Sequence, residues 1–179
     1  MKKIWSVARN KEDAAKAKPK TTGAHLRIQK DLSEFEPPST ITIRHPDVND
    51  FLNFEMVIKP DEGYYKGGVF PFSVSISNNY PHEPPKLRSL KTVYHPNLDL
   101  DGNVCLNILR EDWKPVLNLT AVSIGMNYLF LEPNPDDPLN KEAAAELRAD
   151  RNKFANLVRK TMAGASINDG HTYDNVLVK

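Results

Sequence analysis

Cysteine is almost absent from this sequence, since Cys105 is the only one among 179 residues. A single thiol excludes a disulfide within the chain and suits the reducing cytosol or nucleus. The sequence also lacks an apolar run near the length of about 18 residues that spans a bilayer, and it has no apolar leader at its N-terminus. The formal net charge is only +1, which argues against binding to nucleic acid phosphates. These absences predict a cytoplasmic and nuclear protein that binds neither membranes nor nucleic acid.

The apolar content that is present suffices for one core. Hydrophobic residues make up 40% of the chain, which at this length predicts a single domain with tails. Residues 1–23 differ from the rest, because their basic side chains stand among alanine, threonine and proline and cannot build a core. We therefore predict a flexible basic extension over 1–23 and a folded domain over 24–179. Its apolar residues Ile4, Trp5 and Val7 are typical of a peptide that orders on docking to a partner, and ordinary terminal sequence is the alternative.

Apolar periodicity and turn residues predict an α+β fold. An N-terminal helix precedes a four-stranded antiparallel meander, and further helices follow. The predicted helices cover 24–35, 119–131 and 140–160, the last with a break near Ala149-Asp150, and the predicted strands cover 40–44, 53–58, 69–77 and 86–90. In the first helix, Ile28, Leu32 and Phe35 form the inward stripe and Arg27 lies on the solvent face. In the third strand, Phe70, Phe72, Val74 and Ile76 alternate with smaller or polar residues, which predicts one buried face. Asn118 is a candidate cap of the helix over 119–131. Residues 165–179 carry no functional signal.

The stretch 94–117, YHPNLDLDGNVCLNILREDWKPVL, surrounds Cys105 with polar and turn-forming residues. Asp101-Gly102-Asn103 predicts a turn that leaves the thiol near solvent. Two interpretations are open for such a residue. A lone cysteine in an intracellular chain is most often a small buried apolar residue, whereas a cysteine beside an exposed loop is a candidate nucleophile.

A cysteine hydrolase would need a base beside the thiol. His95 is the obvious candidate, but Pro96 follows it directly and restricts its backbone, which favours a structural hydrogen bond from the ring. No second histidine with an orienting acid is suggested nearby. We therefore expect a thiol with a pKa near the ordinary value of about 8.5, which exchanges with a thioester instead of hydrolysing it.

The combined pattern favours the nucleophile. His-Pro-Asn at 95–97, Cys-Leu at 105–106 and Trp-x-Pro at 113–115 together resemble the active-site signature of ubiquitin-conjugating enzymes, over about residues 25–162. The extension and the segment 105–117 further resemble the family members of the neddylation (Nedd/Rub) pathway. The resemblance implies the ubiquitin-conjugating fold and an acyltransferase. Such an enzyme accepts a ubiquitin-like modifier from its activating enzyme as a thioester on Cys105 and passes it to a target lysine, usually on a cullin.

The resemblance also implies roles for residues around the cysteine. Asn97 stabilises the oxyanion on the thioester carbonyl, or it holds the loop whose backbone does so. Asp137, in the proline-rich loop 132–139, orients the attacking lysine and eases its deprotonation. His95 and Pro96 shape the site. No metal or cofactor is implied, since the activating enzyme uses the ATP and nucleotide binding is therefore indirect.

Partner surfaces follow from the same resemblance. Ile4, Trp5 and Val7 dock the activating enzyme. Met1 and Ile4 contact a co-ligase, although Lys2 stands where the family often has an aliphatic residue. The remaining surfaces are a face for a RING-type ligase, made of Pro81, His82, Trp113, Pro115 and Val116, and a contact for the donor modifier at Ile108 and Ile124.

Asn107 departs from the pattern of many ubiquitin-type relatives, which have an acid two residues after the cysteine. We expect the missing acid to restrict the acceptor or to raise dependence on a ligase. Two alternatives share the fold: conjugation of ubiquitin itself, with the same chemistry and different docking surfaces, and a non-catalytic binding module.

Overall fold

The computed structural model describes residues 21–177. The predicted docking residues Met1, Ile4, Trp5 and Val7, with Lys2 beside them, lie outside this range. The described helices are α1 (Gly23–Ser33), α2 (Leu119–Leu131), α3 (Lys141–Ala149) and α4 (Arg151–Met162), and the strands are β1 (Ile41–Arg44), β2 (Asn53–Ile58), β3 (Phe70–Ser75) and β4 (Lys86–Ser89). The predicted α+β order is confirmed. Within residues 21–177, no helix has the length and apolar character needed to cross a membrane.

Helix α1 begins at a cap supplied by Thr22. The Thr22 hydroxyl accepts the His25 amide hydrogen, and the His25 ring bonds back to Thr22. Ile28 is fully buried, as predicted. Leu32 and Phe35 are only partly buried against the core, and the helix ends at Ser33, two residues before its predicted end.

The four strands form one antiparallel sheet in sequence order. β3 pairs with β2 along its whole length, from Phe70 opposite Ile58 to Ser75 opposite Asn53. Successive side chains of a strand point to opposite faces, and this alternation buries Phe70, Phe72 and Val74 as predicted. The meander thus has one face in the core, where helix α2 meets it.

Helix α2 contributes two large side chains to the helical side of the core. Its cap is Asn118, whose Oδ1 accepts the Ala121 amide hydrogen at 3.0 Å, as predicted. Met126 and Phe130 are fully buried, and the Phe130 ring lies 4.6 Å from that of Phe70 in β3, centroid to centroid. This packing fixes α2 against the sheet and so fixes the segments that flank α2.

The predicted break between α3 and α4 is confirmed. Asp150 ends α3 and caps α4, because its Oδ1 accepts the amide hydrogens of Asn152 and Lys153, both at 2.9 Å. Beyond α4, Gly164 has a φ of 80°, a conformation that glycine adopts without the strain other residues meet.

The C-terminal tail packs back onto the core, which the sequence did not predict. Tyr173 and Val176 are buried. The Val69 amide donates to the Val176 carbonyl at 2.8 Å, and the Val176 amide donates to the Met162 carbonyl at 2.9 Å. Two aromatic or β-branched residues three apart in a polar tail were the only signal for this packing.

Candidate active site

Backbone hydrogen bonds hold Cys105 and the turn that precedes it in place. Its amide donates to the Asn97 carbonyl at 2.8 Å. The predicted turn precedes it, and there the Gly102 carbonyl accepts the Ser89 amide hydrogen at 2.8 Å. Gly102 has a φ of 87°, and a Cβ there would lie 2.5 Å from the Ser89 carbonyl oxygen. Only glycine fits this approach, which anchors the cysteine segment to the end of β4.

The thiol is more covered than the sequence predicted. Cys105 is 5% exposed, and its Sγ donates to Oδ2 of Asp137 at 3.1 Å. Burial, followed by the bond to Asp137, raises the Cys105 pKa to about 11, against a smaller lowering by Arg110. The expectations of an open sulfur and an ordinary pKa are both wrong. The causes are the burial of the thiol, which is the larger, and its hydrogen bond to a carboxylate 32 residues away along the chain.

Asn97 connects the cysteine to the loop that carries Asp137. Its Nδ2 donates to the carbonyl oxygens of Asn134 at 2.8 Å and Asp137 at 3.2 Å. Its Oδ1 accepts the Asn134 amide hydrogen at 2.8 Å. Asn97 is buried, and both of its amide donors are engaged within the protein. In this state the side chain holds the loop and has no free donor for an oxyanion.

His95 and Pro96 lie fully inside the site. The His95 Nδ1 accepts the Asn97 amide hydrogen at 2.9 Å, so its Nε2 carries the proton and donates to the Leu129 carbonyl at 3.1 Å. Burial lowers the His95 pKa to about 3. With both nitrogens engaged, the ring is neutral and has no atom left to act as a base. The Pro96 carbonyl accepts the amide hydrogens of Leu139 and Asn140, at 2.9 and 3.0 Å.

Arg110 is a member of the site that the sequence reasoning missed. Its Nη2 lies 2.6 Å from Asp137 Oδ2 and 3.4 Å from Asn107 Oδ1. The hydrogen bond from the Cys105 thiol, followed by that from Arg110, holds the pKa of the Asp137 carboxyl below its usual range. The sequence offered one signal for this role, namely that Arg110 is a basic residue five positions after the cysteine. That spacing reaches back to the thiol because a 3₁₀ turn, Asn107–Leu109, folds the chain between them.

The five residues predicted to form the ligase face lie on two segments that meet. Trp113 Nε1 donates to the Pro81 carbonyl at 2.8 Å, and the Trp113 ring lies 5.9 Å from that of Tyr80. Trp113 and Pro81 are partly buried. The face is completed by three exposed residues, His82, Pro115 and Val116.

Arg27 ties helix α1 to this face, which corrects its predicted place among solvated residues. Its guanidinium donates to the carbonyls of Pro115 at 2.9 Å and Leu117 at 2.6 Å. It also pairs with the buried Asp31 at 2.9 Å, and Asp31 in turn accepts the Tyr80 hydroxyl hydrogen. Helical spacing placed Arg27 away from the core stripe, and only the fold brings segment 115–117 to it.

The two isoleucines predicted to contact a donor modifier differ in exposure. Ile124 on α2 is 54% exposed, whereas Ile108 is partly buried. Ile108 lies over α2 at Gly125, where an added Cβ would be 3.2 Å from its Cγ2. Tyr128, one helical turn after Ile124, is also exposed. Together they leave an apolar strip on the outer face of α2, and Tyr128 was not singled out from the sequence.

Within residues 21–177, no group of three or more His, Cys, Asp or Glu side chains is arranged to hold a metal ion. The same residues contain no buried side-chain nitrogen or oxygen without a hydrogen-bond partner. The buried polar side-chain atoms of the described site are therefore all hydrogen-bonded. The groups available for catalysis are the protonated Cys105 thiol, the adjacent Asp137 carboxylate and the Arg110 guanidinium.

Known proteins resemble this chain over nearly all of its length. The sequence family described as ubiquitin-conjugating enzyme matches residues 27–162. The chain is 55% identical over 180 residues to NEDD8-conjugating enzyme UBC12 of Yarrowia lipolytica, covering 100% of both. It is 51% identical over 176 residues to Nedd8-conjugating enzyme UbcE2M of Drosophila melanogaster, covering 97% of this chain and 96% of that one. The solved structure of S. cerevisiae Ubc12 matches with a TM-score of 0.85 at 44% identity, covering 97% and 96%.

Proposed function

We propose, because this chain belongs to the ubiquitin-conjugating enzyme family, that it accepts NEDD8 as a thioester on Cys105 and transfers it to lysine side chains. The family match confirms the predicted fold and the predicted class of enzyme. The choice of NEDD8 is supported by relatives named NEDD8-conjugating enzymes that are similar to the chain from end to end. The observation that carries the chemistry is the contact of 3.1 Å between the Cys105 thiol and the Asp137 carboxylate.

The first proposed step is an exchange between two thioesters. The Cys105 sulfur attacks the carbonyl that joins the modifier to the cysteine of the activating enzyme. A new carbon–sulfur bond forms, the old one breaks, and the departing thiolate takes up the proton that Cys105 releases. A thiol with a pKa of about 11 is protonated in the resting enzyme, which protects it from side reactions.

The second proposed step is attack by a lysine amine on the thioester. The nitrogen bonds to the carbonyl carbon, the carbon–sulfur bond breaks, and Cys105 leaves with the proton that the amine gives up. Asp137 Oδ2 lies 3.1 Å from the Cys105 sulfur, and the lowered pKa of the Asp137 carboxyl keeps it ionised at neutral pH. A carboxylate there orients the amine and favours loss of its proton. Asn97 supports this role through the loop that it holds.

Hydrolysis of the thioester is disfavoured by the same site. A hydrolase needs a base that activates water at the acyl group. Both ring nitrogens of His95 are engaged in hydrogen bonds, and its pKa of about 3 reflects a ring that stays neutral in the interior. The Asp137 carboxylate is paired with Arg110 at 2.6 Å, and as an anion it suits the orientation of a cationic lysine better than the activation of a neutral water.

The proposed partners are those of a modifier-transfer cascade. An activating enzyme, which uses the ATP, would dock Ile4, Trp5 and Val7, and a co-ligase would contact Met1 and Ile4. A RING-type ligase would bind the face around Trp113 and Val116, where Val116 is exposed and Trp113 is fixed by its bond to Pro81. We propose cullins as acceptors, no cofactor on this chain, and action in both cytoplasm and nucleus.

A charging assay tests the modifier and the chemistry together. The full chain is incubated with ATP and either NEDD8 or ubiquitin, each with its own activating enzyme. The proposal predicts an adduct of one modifier per chain with NEDD8 that disappears on treatment with thiol reductant. An adduct with ubiquitin only would show that the modifier is ubiquitin and not NEDD8. No adduct with either would favour a non-catalytic binding module.

A further inference from the structure

The carboxylate of Asp137 has two partners on one oxygen. Its Oδ2 accepts the Cys105 thiol hydrogen at 3.1 Å and an Arg110 guanidinium hydrogen at 2.6 Å. The side chains of Asp137 and Arg110 are 57% and 43% exposed, whereas Cys105 is 5% exposed. The ion pair therefore lies at the surface over a covered sulfur.

Acylation of the sulfur changes this arrangement. A thioester sulfur carries no hydrogen, so the bond from Cys105 to Asp137 disappears when the modifier is loaded. The bonds of Asn97 hold the backbone of the loop, not the carboxylate. Among the described residues, Arg110 is then the one side-chain partner that remains on the Asp137 carboxylate. Arg110 thus holds the carboxylate in the loaded enzyme, in which Asp137 has to be in place for the incoming lysine.

We propose that Arg110 is a positioning residue that keeps the Asp137 carboxylate beside the sulfur before and after acylation and offsets its charge at the thiol. The part that concerns the lysine rests on the proposed function, and the part that concerns the thiol does not. Three charged side chains act on the sulfur: Arg110 favours the thiolate, and Asp137 and Glu111 oppose it. Removing the cation therefore leaves two anions facing the thiol.

The effect on the thiol is measured by alkylation with iodoacetamide between pH 7 and 9.5, where the rate follows the thiolate fraction. We expect Arg110→Gln to react about two- to fivefold more slowly at each pH, because exposed ion pairs shift a neighbouring pKa by a few tenths of a unit. Arg110→Lys, which keeps the charge, should stay near wild type. Asp137→Asn should react faster. Unchanged or faster alkylation of Arg110→Gln would overturn the charge-offset part.

Arg148→Gln is the matched control. Arg148 pairs with Asp136, the neighbour of Asp137 in the same loop, at 3.2 Å, and it also bonds the Pro135 carbonyl. The variant thus removes the same charge and loosens the same loop without touching Asp137. We expect its alkylation profile to match wild type. A slowing equal to that of Arg110→Gln would refute a specific role for Arg110.

The effect on the lysine is measured by single-turnover discharge of preloaded enzyme to free lysine. We expect Arg110→Gln to slow discharge roughly three- to tenfold, since small misplacement of a catalytic group has large effects, and Arg110→Lys to recover part of the rate. In an Asp137→Ala background the Arg110 change should have no further effect. An equal loss in that background would show that Arg110 acts without Asp137 and would end the positioning proposal.

The two assays separate the failure of this inference from the failure of the proposed function. If wild type does not load at all, the proposed function fails while the alkylation profile still tests the thiol. If wild type loads and discharges but the Arg110 variants behave as wild type in both assays, only the inference fails. Thermal unfolding of each variant confirms that the exposed substitution leaves the fold intact.

Discussion

Replacement of Asn97 by alanine distinguishes the two roles that the sequence left open for this residue. The side chain makes three hydrogen bonds to the loop that carries Asp137. A neutral hydrogen bond contributes about 1 kcal/mol net, and buried partners left unpaired cost more. Water can reach part of the loop, because Asn134 and Asp137 are exposed residues. We therefore expect Asn97→Ala to lower the free energy of unfolding by about 2 to 3 kcal/mol.

A loop-holding role and an oxyanion role predict different patterns of loss. If Asn97 holds the loop, amide hydrogen exchange at Asn134 and its neighbours should speed up together with the loss of stability. Discharge to lysine should then slow more than loading, because Asp137 is displaced. Asn103→Ala is the matched control, since the Asn103 side chain bonds only the nearby Asp99 and not the loop that carries Asp137. Slow discharge with unchanged unfolding and unchanged exchange would contradict the loop-holding role and favour a direct contact with the oxyanion.

Three further predictions concern stability and acceptor choice. The His95 pKa of about 3 lies below its ordinary value of 6.5, so the unfolded chain binds the extra proton. Stability should fall as pH drops below about 6.5, by about 2 kcal/mol at pH 5 from this group, and urea unfolding of His95→Gln should show a weaker pH dependence. Gly125→Ala should raise the thermal midpoint slightly, since alanine favours the helix by about 1 kcal/mol over glycine. The added Cβ would lie 3.2 Å from the side-chain ends of Leu106 and Ile108, which can move to make room. A lower midpoint would show that these side chains cannot move. Asn107→Asp should speed discharge to free lysine and reduce dependence on a ligase, and unchanged rates would remove the significance given to the missing acid.

Local patterns predicted the elements of the fold well. The alternation of Phe70, Phe72 and Val74 specifies a strand with one buried face, Asn118 caps a helix as predicted, and Asp150 lies at the predicted break between two helices. Each of these signals acts within a few residues, where side-chain spacing and backbone hydrogen bonding are set by the sequence itself. The compound motif around Cys105 likewise identified the family from contiguous letters.

Features that depend on distant segments could not be predicted in this way. Burial of Cys105 and its hydrogen bond to Asp137, 32 residues further along the chain, together raise the Cys105 pKa to about 11. Arg27 finds its carbonyl partners 88 and 90 residues away. The packing of Tyr173 and Val176 requires the completed core. In each case the sequence shows a suitable residue type, and only the fold supplies its partner.

Mass spectrometry of the loaded chain shows whether the modifier is bonded to the sulfur of Cys105. The full chain and its Cys105→Ser and Cys105→Ala variants are loaded with NEDD8, its activating enzyme and ATP, and intact masses are measured with and without reductant. The account predicts a reductant-sensitive adduct for wild type, a reductant-resistant adduct for the serine variant, whose oxygen forms an oxyester, and none for the alanine variant. An adduct of full yield on Cys105→Ala would contradict it.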